Sequence, residues 1–361
     1  LGNDENYTSS LRENFPEAYA KGRYAKAISV LSNRSPNLFV EPSWNRYLQI
    51  EPFSADPLNE SYQWWNFDVV NIPEALDIIG QEVKPVNVAV LDTGSPYAVD
   101  PAFTRSIFDT QWGWDMVDND ALADDDEFPN GSFSHGTHVG STISMLNDGL
   151  DGNGMAARVT PIRVCASGCP GSATYGAYLY LNGDANDSLT TFAQRSAGQK
   201  LHSVNMSYGG SGGSATSASC VKLGELADRG VLIASSSGNS GVGSVGWPSS
   251  CPKVYSVGAT NGTDRRSSYS STNEYVAFSA PGGEYSDWNA DGIDDLVYAY
   301  ARDNSYVQSN NNGNPMIGAQ GTSMASPHGA GFLGLIKYYY EDIVKPFESN
   351  TTLPSSLTYV E

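Results

Sequence analysis

Short runs of apolar residues alternate along the chain with longer segments in which apolar residues recur at helical spacing. Each run ends in small or polar residues, and the runs occupy residues 86–91, 159–164, 203–206, 231–234 and 254–257. Short strands that alternate with helical segments are typical of βαβ units around a mostly parallel sheet. The pattern therefore predicts an α/β fold. Functional residues are expected where the strands end, because sites in open α/β sheets form at the carboxyl ends of the strands.

Three regions differ along the chain. Residues 1–55 combine a predicted helix at 24–32 with a short apolar strand at 38–40. The alternating strands and helices occupy residues 56–345, which are interpreted as one domain. Residues 346–361 are rich in serine and threonine and form a predicted C-terminal tail.

Composition narrows the classes of partner. The 361 residues include 40 acidic and 20 basic ones, which gives a formal net charge of -20. Such a charge repels nucleic acid and anionic membranes, and it favours cation binding. No apolar run approaches the roughly 18 residues that a membrane-spanning helix needs. We therefore expect no nucleic-acid partner and no membrane span.

The four cysteines, at positions 165, 169, 220 and 251, allow three different pairings into two disulfides. A zinc site is disfavoured because tight C-x-x-C pairs are absent from the sequence. Two disulfides would indicate an oxidising compartment. Four reduced, buried thiols are the alternative.

Two motifs contain candidate catalytic groups. The first run ends in Asp92-Thr93-Gly94, which presents a carboxylate at a strand terminus. Aspartic proteases also use Asp-Thr-Gly, but they need two copies and this chain has one. The second motif is HGTHVG at residues 135–140, and it opens a predicted buried helix. Metal binding by its two histidines is disfavoured because the chain has no H-E-x-x-H sequence.

A third motif, GTSMASPH at residues 321–328, stands where a helical pattern of apolar residues begins. In one interpretation Ser323 is a helix cap whose oxygen accepts a backbone N–H. In the other it is a nucleophile, because free N–H groups at the helix N-terminus stabilise negative charge beside its hydroxyl. The second interpretation needs a general base and a carboxylate that orients the base, and His135 and Asp92 are residues of those types.

The chain order Asp92, His135, Ser323, within DTG, HGTHVG and GTSMASPH, resembles that of the subtilisin-like serine proteases, or subtilases. The resemblance implies a subtilisin-like three-layer fold with a central, mostly parallel sheet flanked by helices. It also implies a secreted endopeptidase that cleaves proteins or peptides through an acyl-enzyme. In that mechanism Ser323 is the nucleophile, His135 is the general base and Asp92 orients the imidazole.

The same resemblance assigns further residues to the site. Asn239 would donate its side-chain amide to the developing oxyanion, together with the backbone N–H of Ser323. One wall of the primary specificity pocket would be formed by Ser235, Ser236, Ser237 and Gly238. The edge strand that pairs with an extended substrate would be Ser207, Tyr208, Gly209 and Gly210. Many members of the family have alanines where this chain has serines in the pocket wall, so the preferred side chain stays open.

The resemblance also extends to the N-terminal region and the cysteines. Residues 25–44 look like the last helix and strand of a subtilase propeptide, so the enzyme's own propeptide is an expected partner. A surface extension is the alternative for residues 1–55. Cys220 and Cys251 are placed like a disulfide of secreted subtilases, which leaves Cys165 and Cys169 to each other. An extracellular or periplasmic location follows from this resemblance.

Two competing functions are left open. A latent zymogen would have the cleft occupied by the N-terminal region. A catalytically silent scaffold would bind peptides or cations through its acidic loops, although a complete set of three catalytic residues argues against it.

The spacing of acidic and amide side chains in residues 287–295 predicts a structural calcium site. Oxygen-bearing side chains stand at positions 1, 3, 5 and 9 of the EF-hand spacing, with glycine at position 6 and a backbone carbonyl at position 7. The predicted ligands are Asp287, Asn289, Asp291, Ile293 and Asp295. Tyr298 stands at position 12 in place of the bidentate glutamate, so affinity is expected to be weaker unless another residue completes the shell. A solvated acidic loop is the alternative.

Overall fold

The computed structural model describes residues 63–72, 75, 86–95, 108–125, 134–145, 154–155, 157–184, 200–210, 213–243, 245–288, 292–301 and 316–344. The predicted helix at 24–32 and the predicted strand at 38–40 lie outside the described residues, as do the rest of residues 1–55 and the tail at 346–361.

A seven-stranded sheet forms the centre of the described chain, with the strand order β2-β3-β1-β4-β5-β6-β7. Its strands are β1 Asn87–Asp92, β2 Trp114–Asp115, β3 Arg158–Arg163, β4 Ser203–Met206, β5 Leu232–Ser236, β6 Val254–Thr260 and β7 Val276–Pro281. Each neighbouring pair in it is parallel. A separate antiparallel hairpin joins β8 Val297–Tyr300 to β9 Met316–Ala319. The predicted mostly parallel sheet is confirmed.

The five predicted runs correspond to β1, β3, β4, β5 and β6, with ends that differ by at most three residues. These strands are largely buried on both faces, which is why they read as continuous apolar runs. The sequence did not indicate β7. This strand lies at the sheet edge, and its first four residues alternate between half-buried and exposed.

Helices cover both faces of the sheet. They are α1 Trp64–Asp68, α2 His135–Ser144, α3 Gly171–Asn182, α4 Ala218–Asp228 and α5 Thr322–Tyr338, with a 3₁₀ turn at Thr110–Trp112 and a π-helical turn at Tyr339–Val344. Val88 and Val90 of β1 pack into one apolar core with α2 and α5. Ala89 and Leu91 point to the other face and share a second core with α3 and α4. Alternate residues of one strand thus enter two cores, and the predicted three-layer arrangement is confirmed.

Helix α5 is fixed to the rest of the domain by buried polar contacts as well as by its apolar residues. His328 lies within α5, and its Nδ1 donates to the Met324 carbonyl at 2.9 Å. Its Nε2 accepts from Asn66 Nδ2 of α1 at 3.0 Å. Burial lowers the pKa of His328 to about 4, so the imidazole is neutral at pH 7 and can accept this bond. Ser203 of β4 donates to the Ala330 carbonyl at 2.7 Å, which ties α5 to the sheet.

Both predicted disulfides are present. Cys165 is bonded to Cys169, and Cys220 is bonded to Cys251. The second bond joins α4 to the segment before β6 and closes a loop between residues 31 positions apart. In the chain-entropy account, a loop of this length contributes roughly 3–4 kcal/mol to stability. In the described part of the chain, none of the helices has the length and apolarity to cross a membrane.

Candidate active site

Asp92 and His135 are brought together from separate elements. Asp92 is the last residue of β1 and is 2% exposed, whereas His135 is the first residue of α2. Their side chains meet at 2.7 Å between Asp92 Oδ1 and His135 Nδ1. The same carboxylate oxygen accepts the Thr93 N–H at 2.8 Å. Because a carboxylate needs a donor, the proton of the neutral imidazole stands on Nδ1 and the lone pair is left on Nε2.

Two glycines allow the start of α2 to approach the end of β1 so closely. A Cβ atom on Gly136 would lie 2.4 Å from the Gly94 carbonyl oxygen. Gly94 itself has φ +111°, a conformation that side chains disfavour. These restrictions explain why the aspartate motif ends in Gly94 and why Gly136 follows His135.

The environment of His135 favours its protonated form. Burial lowers the pKa of the imidazole, but the charge and the hydrogen bond of Asp92 and the charge of Asp125 together raise it by more. The pKa of His135 therefore lies above its ordinary value. The neutral imidazole of His135 is lost by protonation as the pH falls through that pKa.

Ser323 is the second residue of α5 and is joined to the end of β4 by reciprocal bonds. Its hydroxyl donates to the Ser207 carbonyl at 3.0 Å, and the Ser207 hydroxyl donates to the Ser323 carbonyl at 2.8 Å. The helix cap is Gly321, with no side-chain capping bond, so the interpretation of Ser323 as the cap is wrong.

Asn205 and Ser326, which the sequence analysis did not suggest, complete this hydrogen-bond network. Asn205 donates from Nδ2 to Ser207 Oγ at 3.0 Å, and its Oδ1 accepts from Ser326 Oγ at 2.7 Å. Asn205 is fully buried in β4. An amide between the apolar residues Val204 and Met206 of a buried strand was the signal that could have identified it.

Asn239 follows β5 and is held by the residue before Ser323. Its Oδ1 accepts from the Thr322 N–H at 2.9 Å and from the Thr322 hydroxyl at 2.8 Å. The Thr322 oxygen accepts from the Gly238 N–H at 3.1 Å. Thr322 thus fixes the amide oxygen of Asn239, which leaves Nδ2 as the group that can donate elsewhere. The sequence analysis did not assign a role to Thr322, although its position directly before Ser323 in the third motif could have indicated one.

The predicted substrate-binding residues lie at the ends of neighbouring strands. Gly210 exchanges two backbone hydrogen bonds with Trp247, at 2.8 and 2.9 Å. The Tyr208 hydroxyl lies 2.9 Å from that of Tyr178 on α3. In the predicted pocket wall, Ser235, Ser236 and Ser237 are buried. The Ser237 hydroxyl donates to the Ser271 carbonyl at 2.9 Å. The substrate-binding roles stay predictions.

The predicted calcium loop is described in part. Asp287 Oδ2 accepts the Gly292 N–H at 2.8 Å, and Asp295 Oδ2 accepts the Trp288 N–H at 2.8 Å. Asp295 is 2% exposed, and Ile293 lies between these carboxylates in sequence. Asn289 and Asp291 lie outside the described residues. Within the described ranges, no group of three or more His, Cys, Asp or Glu could hold a metal ion. The calcium site stays a prediction.

Comparison with known proteins matches most of the chain to one family. Residues 84–356 match the Peptidase_S8 model, described as the subtilase family. The chain is 32% identical over 203 residues to alkaline elastase YaB of Bacillus sp. (strain YaB), covering 56% of this chain and 44% of that protein. It is 30% identical over 275 residues to subtilisin Savinase of Lederbergia lenta, covering 76% of this chain and 83% of that one. The chain thus spans less than half the length of the alkaline elastase.

Solved structures agree with the fold. A protease of Pseudoalteromonas arctica PAMC 21717 superposes with a TM-score of 0.61 and 26% sequence identity. The superposition covers 78% of this chain and 86% of that chain.

Proposed function

The chain belongs to the subtilase family, and we propose that it is a serine endopeptidase that cleaves peptide bonds in proteins. The observation that carries the proposal is the 2.7 Å contact between Asp92 and His135, beside a helix whose first turn bears Ser323. This arrangement supplies a nucleophile, a base and a carboxylate that orients the base.

The first chemical step transfers a proton and forms an acyl-enzyme. The Ser323 hydroxyl leaves its Ser207 acceptor and gives its proton to His135 Nε2, while its oxygen bonds to the carbonyl carbon of the substrate. Asp92 stabilises the resulting imidazolium. His135 then returns the proton to the departing amine as the peptide C–N bond breaks. A water molecule hydrolyses the acyl ester by the same proton transfers.

We assign two donors to the oxyanion of the tetrahedral intermediate. One is the Ser323 N–H in the first turn of α5, where the helix dipole also favours negative charge. The other is Asn239 Nδ2, which is directed by the two bonds that Thr322 makes to Oδ1. An extended peptide substrate would lie along residues 207–210, where Gly209 and Gly210 are exposed.

Labelling by a fluorophosphonate, located by peptide mapping, tests this function. We expect the probe to modify Ser323, because only a hydroxyl beside a general base and an oxyanion site reacts readily with it. The Ser323→Ala variant is the control and should remain unlabelled. Absence of labelling in the wild-type chain, and again after removal of residues 1–55, would favour the catalytically silent scaffold. Labelling only after that removal would favour the latent zymogen, with residues 1–55 acting as the inhibitory propeptide.

The compartment of action is proposed to be extracellular or periplasmic. The two disulfides support this, because such bonds persist in oxidising environments.

A structural calcium ion is proposed for residues 287–295, held by Asp287, Asn289, Asp291 and Asp295 with the carbonyl of Ile293. If only the folded chain binds the ion, calcium at 100 times its dissociation constant should stabilise the fold by about 2.7 kcal/mol. We expect a chelator to lower the melting temperature of the inhibited enzyme, and Asp291→Ala to abolish most of that difference. An equal shift in the variant and the wild type would place the ion elsewhere.

A further inference from the structure

Asp125 is a second buried carboxylate beside the Asp92–His135 pair. It is 3% exposed, and its Oδ2 accepts a hydrogen bond from Thr93 Oγ1 at 2.9 Å. The same Thr93 oxygen accepts the Gly136 N–H at 2.8 Å. The Thr93 N–H donates to Asp92 Oδ1 at 2.8 Å. The Thr93 hydroxyl thus connects Asp125 to the start of α2. The backbone N–H of Thr93 also binds Asp92, the carboxylate that contacts His135.

The Thr93 hydroxyl accepts the Gly136 N–H and donates its single proton to Asp125 Oδ2, which is the acceptor that an ionised carboxylate provides. Oδ1 of Asp125 has no hydrogen-bond partner among the residues that the structure describes. Burying a carboxylate with an unpaired oxygen costs free energy of folding. Such a cost is expected where the group serves the chemistry of the site.

The charge of Asp125 is coupled to those of the catalytic pair. The pKa of Asp125 is raised to about 7, chiefly by burial and also by the charge of Asp92. The hydrogen bond from Thr93 and the charges of His135 and Arg163 act in the opposite direction. In the opposite direction, Asp125 raises the pKa of His135. The charge of each group therefore affects the titration of the other.

Other ionisable groups near the pair contribute less. Arg163 on β3 is buried and paired with both Asp115 and Asp118, at 2.6 Å each, so its positive charge is largely compensated. His138, one turn along α2 from His135, has its pKa lowered to about 3 by burial and is neutral at pH 7. Among the neighbouring charges, Asp92 therefore raises the pKa of His135 most and Asp125 comes next, while burial acts in the opposite direction.

We propose that Asp125 is a positioning residue of the active site, a role that rests on the function proposed above. Its carboxylate holds the Thr93 hydroxyl between the end of β1 and the start of α2, and its negative charge stabilises protonated His135. Protonated His135 is also the form that arises when the base takes the serine proton, so the same charge acts during catalysis.

The test compares the pKa of His135 in the presence and absence of the negative charge of Asp125. Asp125→Asn keeps an oxygen that can accept the Thr93 proton but removes the charge. We expect the pKa of His135 to fall by about half a unit, since a nearby negative charge favours the imidazolium. Titration by NMR in a Ser323→Ala background, which prevents self-digestion, gives this value without any turnover. The chain has four histidines, so the signals can be assigned by substitution.

Kinetics in the active background give the second readout. The acid limb of kcat/KM should move to lower pH in Asp125→Asn by the same half unit, which is roughly a threefold gain in relative activity one unit below the wild-type midpoint. Asp125→Ala removes the acceptor as well, so it should show the same fall in pKa together with a lower kcat. If Asp125→Asn does not fold, the pKa of His135 can be measured in Asp125→Ala instead.

Glu274→Gln is the matched control, because it removes one exposed carboxylate and changes the net charge equally. It should leave the His135 titration unchanged. A His135 pKa that is the same in Asp125→Asn, Asp125→Ala and the wild type would overturn the proposal, as would an equal fall in Glu274→Gln. If the NMR shift occurs but the chain hydrolyses no peptide and takes up no fluorophosphonate, the proposed function fails while the electrostatic coupling stands.

Discussion

Replacing Ser323 or His135 with alanine should each remove nearly all peptidase activity, and replacing both should remove little more. The reason is that the serine and its base act in the same proton transfer, so the loss of either disables the step. In subtilisin the corresponding removals each lower turnover by about 10⁶-fold, and a loss of that order is expected here. The measurement is kcat on a peptide substrate for wild type, both single variants and the double variant.

Folding must be unchanged for this comparison to be informative. Circular dichroism and thermal unfolding show whether each variant is folded. The control is Ser214→Ala, which alters an exposed serine outside the site and should keep wild-type turnover. A His135→Ala enzyme with more than about a tenth of wild-type turnover would be incompatible with general-base catalysis by this residue. Losses that multiplied in the double variant would mean that the two residues act in separate steps.

Replacing Asn239 with leucine should lower kcat by about 10²–10³-fold with little change in KM, the loss that removal of the equivalent donor causes in subtilisin. The physical reason is that the amide donates to an oxygen that becomes negative only in the transition state. The two bonds from Thr322 to Asn239 Oδ1 fix the direction of that amide. Thr322→Val keeps the backbone donor and removes the hydroxyl, so it should cost about tenfold, the equivalent of one modest hydrogen bond.

The matched control is Thr216→Val, at an exposed threonine away from Asn239, which should behave as wild type. If Asn239→Leu raised KM and left kcat unchanged, the residue would bind the substrate in its ground state and not the oxyanion. If Thr322→Val lost nothing while Asn239→Leu lost activity, the orientation of the amide would have to come from other contacts.

The elements that the sequence predicted well are those whose pattern is local. The strands around the centre of the sheet were identified because both of their faces are buried, which makes them apolar throughout. Strand β7 was missed because an edge strand has a less apolar pattern. The disulfide pairing came from the family resemblance, because the spacing of Cys165, Cys169, Cys220 and Cys251 left three pairings open.

The sequence by itself determined the α/β class and the candidates Asp92, His135 and Ser323, because each of them stands in a short motif at the end of a strand or the start of a helix. Only the tertiary structure showed what supports them. Thr322 reaches Asn239 across 83 positions of sequence, Ser207 meets Ser323 across 116, and Asp125 meets Thr93 across 32. Local spacing carries no information about such contacts. They arise because parallel strands bring their carboxyl ends to one edge of the sheet, where residues distant in the chain become neighbours.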